Sequence, residues 1–310
     1  MKILILLISG GLAVGCGTQE FNLKQDFRKD SVYQNTELVF DKAKGESKGT
    51  ILLIHGTAPQ NIDGQIAIPE AHNALKKKDP RHYIIQPTYK ELAEYLNDFG
   101  WNTVRYTRVG VYQHEVNLNE YGKTDLNNVM DQLRAIWAMI PNDKPRIAFA
   151  WSGGSIHVLQ LPLKTFDAAI ILGGIVTKRL DVFRLRAKNT EEQKTIEKWI
   201  TDTLVKEEKV SRTQMLGNDM PYGRFFDENN IKNNWEYLSP YKKLPVLILH
   251  GEVDEEVDVS QAKLWKEKLP GHNIDVYIKK SGNHAFGTKG NQPDMHDLAK
   301  TINTWLDKKL

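Results

Sequence analysis

From about residue 32 to the end, short apolar runs take turns with amphipathic helical stretches. This alternation constrains the fold more than any other feature of the chain. Residues 36–40 alternate polar and apolar like an early strand, and residues 50–54 place four aliphatics after Thr50. Further strand-like runs occupy residues 101–106, 147–150, 168–175, 245–249 and 274–278. A helix is expected over 88–99, with Thr88 and Glu91 spaced as a capping box and Gly100 as its stop. A second starts at Thr124, puts Leu126, Val129, Met130, Leu133, Ile136, Trp137 and Ile140 on one face, and ends at Pro141. Others cover 259–269 and the stretch from Pro293 that carries Leu298, Ile302, Trp305 and Leu306. Strands in turn with helices require right-handed crossovers, so the expected class is α/β with a doubly wound, mostly parallel sheet.

Two segments interrupt the pattern. Residues 57–87 form an insertion after the strand at 50–54. Residues 177–240 form a larger one, with an amphipathic helix capped near Asn189 and the aromatics Trp199, Phe225, Phe226 and Trp235. It reads either as a helical cap over a catalytic face or as peripheral packing. In the cap reading its aromatics wall an apolar pocket.

The string Ala150-Trp151-Ser152-Gly153-Gly154 lies where a strand meets a helix. A serine in that setting sits on a nucleophile elbow, a turn so sharp that the positions two before and two after it must be nearly free of side chain. Ala150 and Gly154 meet that demand. Ser155 has no such flanks and is expected to be dispensable.

A serine hydroxyl needs a base to take its proton, and the base needs an orienting acid. On a doubly wound sheet these come from loops at the carboxyl ends of strands. Asp254 follows the strand at 245–249, and His284 follows the strand at 274–278, both downstream of Ser152. Asp258 and Glu252 are rivals for the acid. His55, His157, His250 and His296 are expected to be structural or superficial. Two backbone donors must face the developing oxyanion. One is the N–H of Gly153, and the other comes from the loop His55-Gly56-Thr57-Ala58-Pro59, with Thr57 first and Ala58 second.

With these four motifs in order, residues 32–310 resemble an α/β-hydrolase, and more narrowly bacterial carboxylesterase-like and acyl-hydrolase members. The resemblance implies a serine hydrolase cleaving a small-molecule carboxylic ester through Ser152, His284 and Asp254, with no metal and no organic cofactor. It departs from those members at Ile62, where they tend to have arginine, in the extra residues 67–83, and at Thr107-Arg108-Val109-Gly110, where they show an Asp-x-Arg-Gly string. A peptidase or amidase using the same triad, and a non-catalytic binding lipoprotein, are the alternatives.

The start of the chain stands apart. Met1-Lys2 precedes an apolar run over 3–8, and Leu12-Ala13-Val14-Gly15-Cys16 is similar to a bacterial lipoprotein processing site. Residues 1–15 are therefore expected to be a signal peptide, Cys16 the lipidated residue, and 16–31 a polar tether. This implies an exported protein held to a bacterial cell membrane, at the outer membrane or the extracellular face. Cys16 is the single cysteine, so no internal disulfide can form. With 42 basic and 39 acidic residues, the near balance of charge argues against a nucleic-acid partner.

Overall fold

Gly49–Ile54 is buried at every position. Its aliphatic run demands this, because a strand covered on both faces has no polar side to show. In the computed structural model, which describes residues 19–22, 36–112, 115–205, 211–216, 220–288 and 292–310, this strand lies near the middle of an eight-stranded sheet. The strands are β1 (Gln19–Asn22), β2 (Glu37–Asp41), β3 (Gly49–Ile54), β4 (Trp101–Tyr106), β5 (Arg146–Trp151), β6 (Ala168–Leu172), β7 (Val246–Gly251) and β8 (Ile274–Lys279). Their order across the sheet is β1-β2-β4-β3-β5-β6-β7-β8. β2 runs antiparallel to β1 and β4, and every other pair is parallel. The doubly wound, mostly parallel sheet expected from the alternation is thus present.

The helices of five or more residues are α1 (Pro69–Lys78), α2 (Thr88–Asp98), α3 (Leu126–Met139), α4 (Gly154–Val158), α5 (Arg179–Leu185), α6 (Thr190–Leu204), α7 (Tyr222–Asn230), α8 (Asn234–Leu238), α9 (Ser260–Lys268) and α10 (Met295–Lys309). Alternate residues of β3 serve opposite cores, as a period of two requires. Ile51 and Leu53 pack with Leu92 and Leu96 of α2 and Leu298 and Ile302 of α10. Leu52 and Ile54 pack with Leu133 and Trp137 of α3 and Trp265 of α9.

Some local expectations are corrected. The capping box at α2 does not form: Pro87 precedes the helix, and the Thr88 hydroxyl makes no hydrogen bond. Asp125 caps α3 in place of Thr124, accepting from the Asn128 N–H at 2.8 Å. The Thr124 hydroxyl instead closes the preceding turn on the Tyr121 carbonyl at 2.7 Å. Residues 19–22, expected within the tether, pair with β2 as an edge strand. Unpaired backbone groups along β2 can recruit a short strand without an apolar period. The leader over 1–15, Cys16 and the greater part of the tether lie outside the described residues. No helix among the described residues is long and apolar enough to cross a membrane.

The segment at 177–240 holds α5 to α8 and a small hairpin, Met215–Leu216 paired with Met220–Pro221. It has its own core of Leu180, Ile200, Met220, Phe225 and Phe226.

Candidate active site

Ser152 follows β5 directly and has a left-handed backbone, with φ of 54°. A side chain pays roughly 1–2 kcal/mol for that conformation, so the surroundings must hold it. The Ser152 N–H donates to the Leu172 carbonyl of β6 at 2.8 Å, and α4 begins two residues later. The neighbours are small because the turn brings other backbone close. A methyl on Gly154 would lie 2.5 Å from the His55 carbonyl oxygen. One on Gly153 would run into the Thr57 hydroxyl and the Arg179 guanidinium. Ala150 is fully buried, so its methyl is accommodated where glycine is usual.

Asp254 and His284 are brought together. The Asp254 side chain is wholly buried, and its Oδ2 lies 2.8 Å from His284 Nδ1. Oδ1 accepts from the N–H groups of Glu256 at 2.8 Å and Val257 at 2.9 Å. With the carboxylate ionised, Nδ1 carries the proton and Nε2 is left as the basic nitrogen. Burial works against charge on Asp254, but the His284 charge and hydrogen bond, His250 and the Val257 N–H outweigh it, so the carboxyl sits below its ordinary range. Burial likewise disfavours protonated His284, yet the Asp254 charge and hydrogen bond win and raise its pKa above 6.5. Gly173, with φ of 54°, makes room for the pair: a methyl there would lie 3.0 Å from His284 Nδ1 and 3.2 Å from Asp254 Oδ2.

The rival groups go elsewhere. The Asp258 carboxylate accepts from the Ser260 N–H at 2.8 Å, and that of Glu252 from the Ser281 N–H at 2.9 Å. His250 Nε2 donates to the Val257 carbonyl at 2.7 Å and lies 3.3 Å from Asp254 Oδ2, so it backs the carboxylate. His55 donates to the Tyr106 carbonyl. His157 meets Glu228 Oε1 at 2.9 Å. His296 is exposed and stands edge-on to the Tyr95 ring.

Ser152, His284, Thr57 and Ala58 line one cavity of about 480 Å³. Both insertions contribute to it. Tyr83 and Ile84 come from the segment at 57–87, while Phe183, Trp199, Leu216 and Met220 come from the segment at 177–240. Three of the four expected wall aromatics are not there: Phe225 and Phe226 are almost fully buried in the core of the 177–240 segment. Trp235 packs against the main core instead. A helical period tells which residues are buried together but not which helix face turns to a cavity. The N–H groups of Thr57, Ala58 and Gly153 meet no acceptor among the described residues, whereas the Gly56 N–H donates to Gln60 Oε1 at 3.0 Å.

A buried polar cluster behind this loop was not expected from the sequence. Arg179 of α5 donates through Nε to Glu228 Oε2 at 2.7 Å and through Nη1 to the Thr57 hydroxyl at 2.9 Å. Arg224 and Glu228 lie one turn apart on α7 with no accessible side-chain surface. Burial alone would raise the Glu228 pKa, but the Arg179 charge, the His157 contact and Arg224 hold it well below the usual range. Burial is the main cause that lowers the pKa of His157 to about 4 and that of His55 to about 3, so both are neutral. Only the spacing of Arg224 and Glu228 could have signalled this, and one such pair is common on exposed helices. Among the described residues, no cluster of side chains has the makings of a metal site.

Solved structures share this architecture. Est1E from Butyrivibrio proteoclasticus, solved with ferulic acid bound, matches over 89% of this chain and 96% of its own at 13% identity, with a TM-score of 0.59. A soluble variant of monoglyceride lipase from Saccharomyces cerevisiae, in complex with a substrate analogue, matches over 95% of both chains at 13% identity, with a TM-score of 0.58. The chain has the α/β-hydrolase fold. Mouse alpha/beta hydrolase domain-containing protein 10 is also similar, covering 94% of this chain and 99% of its own at 19% identity and a TM-score of 0.57. The sequence matches no family model and no curated protein. In this α/β-hydrolase sheet, the loops carrying Ser152, Asp254 and His284 leave the carboxyl ends of β5, β7 and β8, the edge where doubly wound sheets bind ligands.

Proposed function

We propose that this chain is a serine hydrolase of small carboxylic esters. The observation that carries the reading is the Asp254–His284 hydrogen bond at the edge of the cavity that Ser152 lines. Ser152 Oγ attacks the acyl carbon while His284 Nε2 takes its proton, and the carbonyl electron pair moves onto oxygen. The N–H groups of Gly153 and Thr57 receive that charge. Collapse breaks the carbon–oxygen bond, and the alcohol leaves with the proton from His284. Water then gives a proton to His284 and attacks the acyl group, and Ser152 recovers its hydrogen as the acid departs. One ester and one water yield one acid and one alcohol. Asp254 holds the imidazole with its proton on Nδ1 and stabilises the imidazolium.

The apolar residues Phe183, Trp199, Leu216 and Met220 suit an acyl chain, and the cavity volume suits a small ligand. The monoglyceride lipase likeness supports the same substrate class. A fluorophosphonate probe tests the reading. Stoichiometric labelling of the wild-type chain, absent in Ser152→Ala, supports it, and an unlabelled folded wild type overturns it. A matched panel of ester and amide chromogenic substrates separates an esterase from an amidase.

The reading extends to the leader. Cleavage before Cys16 and acylation of its thiol and new amino terminus would anchor an exported enzyme at a bacterial membrane. The support is the short apolar run over 3–8 and the small residues before the single cysteine.

A further inference from the structure

Two buried arginines grip the back of the loop that carries the candidate oxyanion donors. Arg108, which follows β4, is 3% exposed. Its Nη2 donates to the Gly56 carbonyl and, at 3.2 Å, to the His55 carbonyl. Arg224, on α7 of the 177–240 segment, is fully buried, and its Nη2 donates to the Thr57 carbonyl at 2.6 Å. The Tyr121 hydroxyl donates to that same carbonyl at 3.1 Å and accepts from Arg224 at 2.9 Å.

Peptide geometry turns these contacts into a statement about the other side of the loop. A trans peptide is planar, with its carbonyl and its N–H pointing in opposite directions, and no cis bond occurs among the described residues. The Gly56 carbonyl shares its peptide with the Thr57 N–H. The Thr57 carbonyl shares its peptide with the Ala58 N–H. Both donors of this loop therefore belong to peptides whose carbonyls are held by a guanidinium, and neither meets an acceptor among the described residues. The Gly56 N–H, by contrast, is taken by Gln60.

We propose that Arg108 and Arg224 are positioning residues of the oxyanion hole, aiming the Thr57 and Ala58 N–H groups into the cavity, so that the 177–240 segment is part of the catalytic machinery as well as a cover. The inference rests on the serine hydrolase reading. Charge supports it. Among the described residues Arg108 forms no ion pair with a carboxylate. Burial and the neighbouring Arg224 both work against its charge, and Tyr121, Tyr106 and Glu228 offset them only in part. Negative charge developing one peptide away is the partner that relieves this, and in a dry site such a fixed charge acts strongly.

The test uses the full chain, a chromogenic acetate ester and a fluorophosphonate probe. Arg108→Lys, Arg224→Lys and Arg224→Met are compared with Ile200→Ala, which weakens the core of the 177–240 segment without touching the loop. Thermal melts and circular dichroism establish that each variant is folded. The expected result is a kcat lowered roughly 10- to 100-fold in Arg108→Lys and Arg224→Met, with KM within about twofold. Arg224→Lys should recover part of that loss, and Ile200→Ala should keep kcat within about threefold despite its lower melting temperature. A folded Arg108→Lys or Arg224→Met with wild-type kcat overturns the proposal, as does an equal kcat loss in Ile200→Ala. If Arg224→Met does not fold, Arg108→Lys decides by the same kcat criterion. Wild type that neither labels nor turns over ester sinks the hydrolase reading itself, whereas a labelled, active wild type with unaffected variants sinks the clamp alone.

Discussion

The indole N–H of Trp151 donates to the backbone carbonyl of His284 at 2.9 Å, across 133 positions of sequence. The residue next to the candidate nucleophile thus anchors the loop that presents the candidate base. Trp151 is buried at the end of β5, so its indole is a rigid strut. The Asn283 side chain completes the loop by accepting from the Ala285 and Gly287 N–H groups at 3.0 and 2.9 Å.

Ser152→Ala and Ser155→Ala should separate chemistry from stability. The first is expected to lower ester turnover by about five powers of ten with an unchanged melting temperature. The second should be nearly silent in turnover, as expected from its flanks, but not in stability. The Ser155 hydroxyl donates to the Ser152 carbonyl at 2.7 Å and accepts from the Ile175 N–H at 2.9 Å. Its loss should cost about 1–3 kcal/mol of stability, because it orphans a buried N–H, while most of kcat is retained. Equal kcat losses in the two variants would mean that the elbow is misassigned.

Activity should fall on the acid side as His284 takes up a proton. Only the neutral imidazole accepts the serine proton, and Asp254 raises the His284 pKa. The acid limb of kcat/KM should therefore have its midpoint above 6.5, with full activity at more alkaline pH. Asp254→Asn should cost roughly 10⁴-fold in kcat and move that midpoint down, while Asp258→Asn should do neither. A pH–rate profile of each variant is the measurement; a rate flat down to pH of about 4 would remove the histidine base.

Gly173→Ala should damage the site without touching a reacting group. The substitution forces a methyl against His284 and Asp254 at a left-handed position. It is expected to cost about 1–2 kcal/mol from the backbone alone and at least tenfold in kcat from a displaced imidazole. Thermal melts and steady-state kinetics check both. A wild-type kcat would show that the pair tolerates the shift.

Trp199 and Phe225 should behave oppositely. Trp199 lines the cavity and is 36% exposed, whereas Phe225 is fully buried. Trp199→Ala should change the preferred acyl chain length in an ester series with little loss of stability. Phe225→Ala should cost about 3–5 kcal/mol and leave the chain-length profile unchanged in whatever fraction remains folded. The reverse pattern would place the acyl wall on α7.

Cys16→Ala should move the protein from the membrane fraction to the soluble exported fraction, read by fractionation and immunoblotting. Lipid anchoring is stable only when several acyl chains act together, so if Cys16 carries them its loss should release the protein. Retention of the variant at the membrane would mean that another segment anchors it.

What the sequence determined by itself was the alternation of strands and helices and the small-residue turn at Ser152, whereas the caps of α2 and α3 were settled by neighbouring contacts. The aliphatic run of β3, the apolar face of α3 and the small residues around Ser152 each carry their structural meaning within a few positions. The order Ser152, Asp254, His284 follows from which strand each loop ends. Packing between distant segments decided the rest. Tertiary contacts placed Trp151 on His284, and Arg108 and Arg224 on one loop from opposite sides of the chain. They also turned Phe183 and Trp199 to the cavity and Phe225 into a core. A periodic pattern records that a residue is buried, but which neighbour buries it depends on contacts that no local spacing encodes. Buried arginines show this most clearly, since in sequence they look like any solvated charge and only the fold supplies the carbonyls they hold.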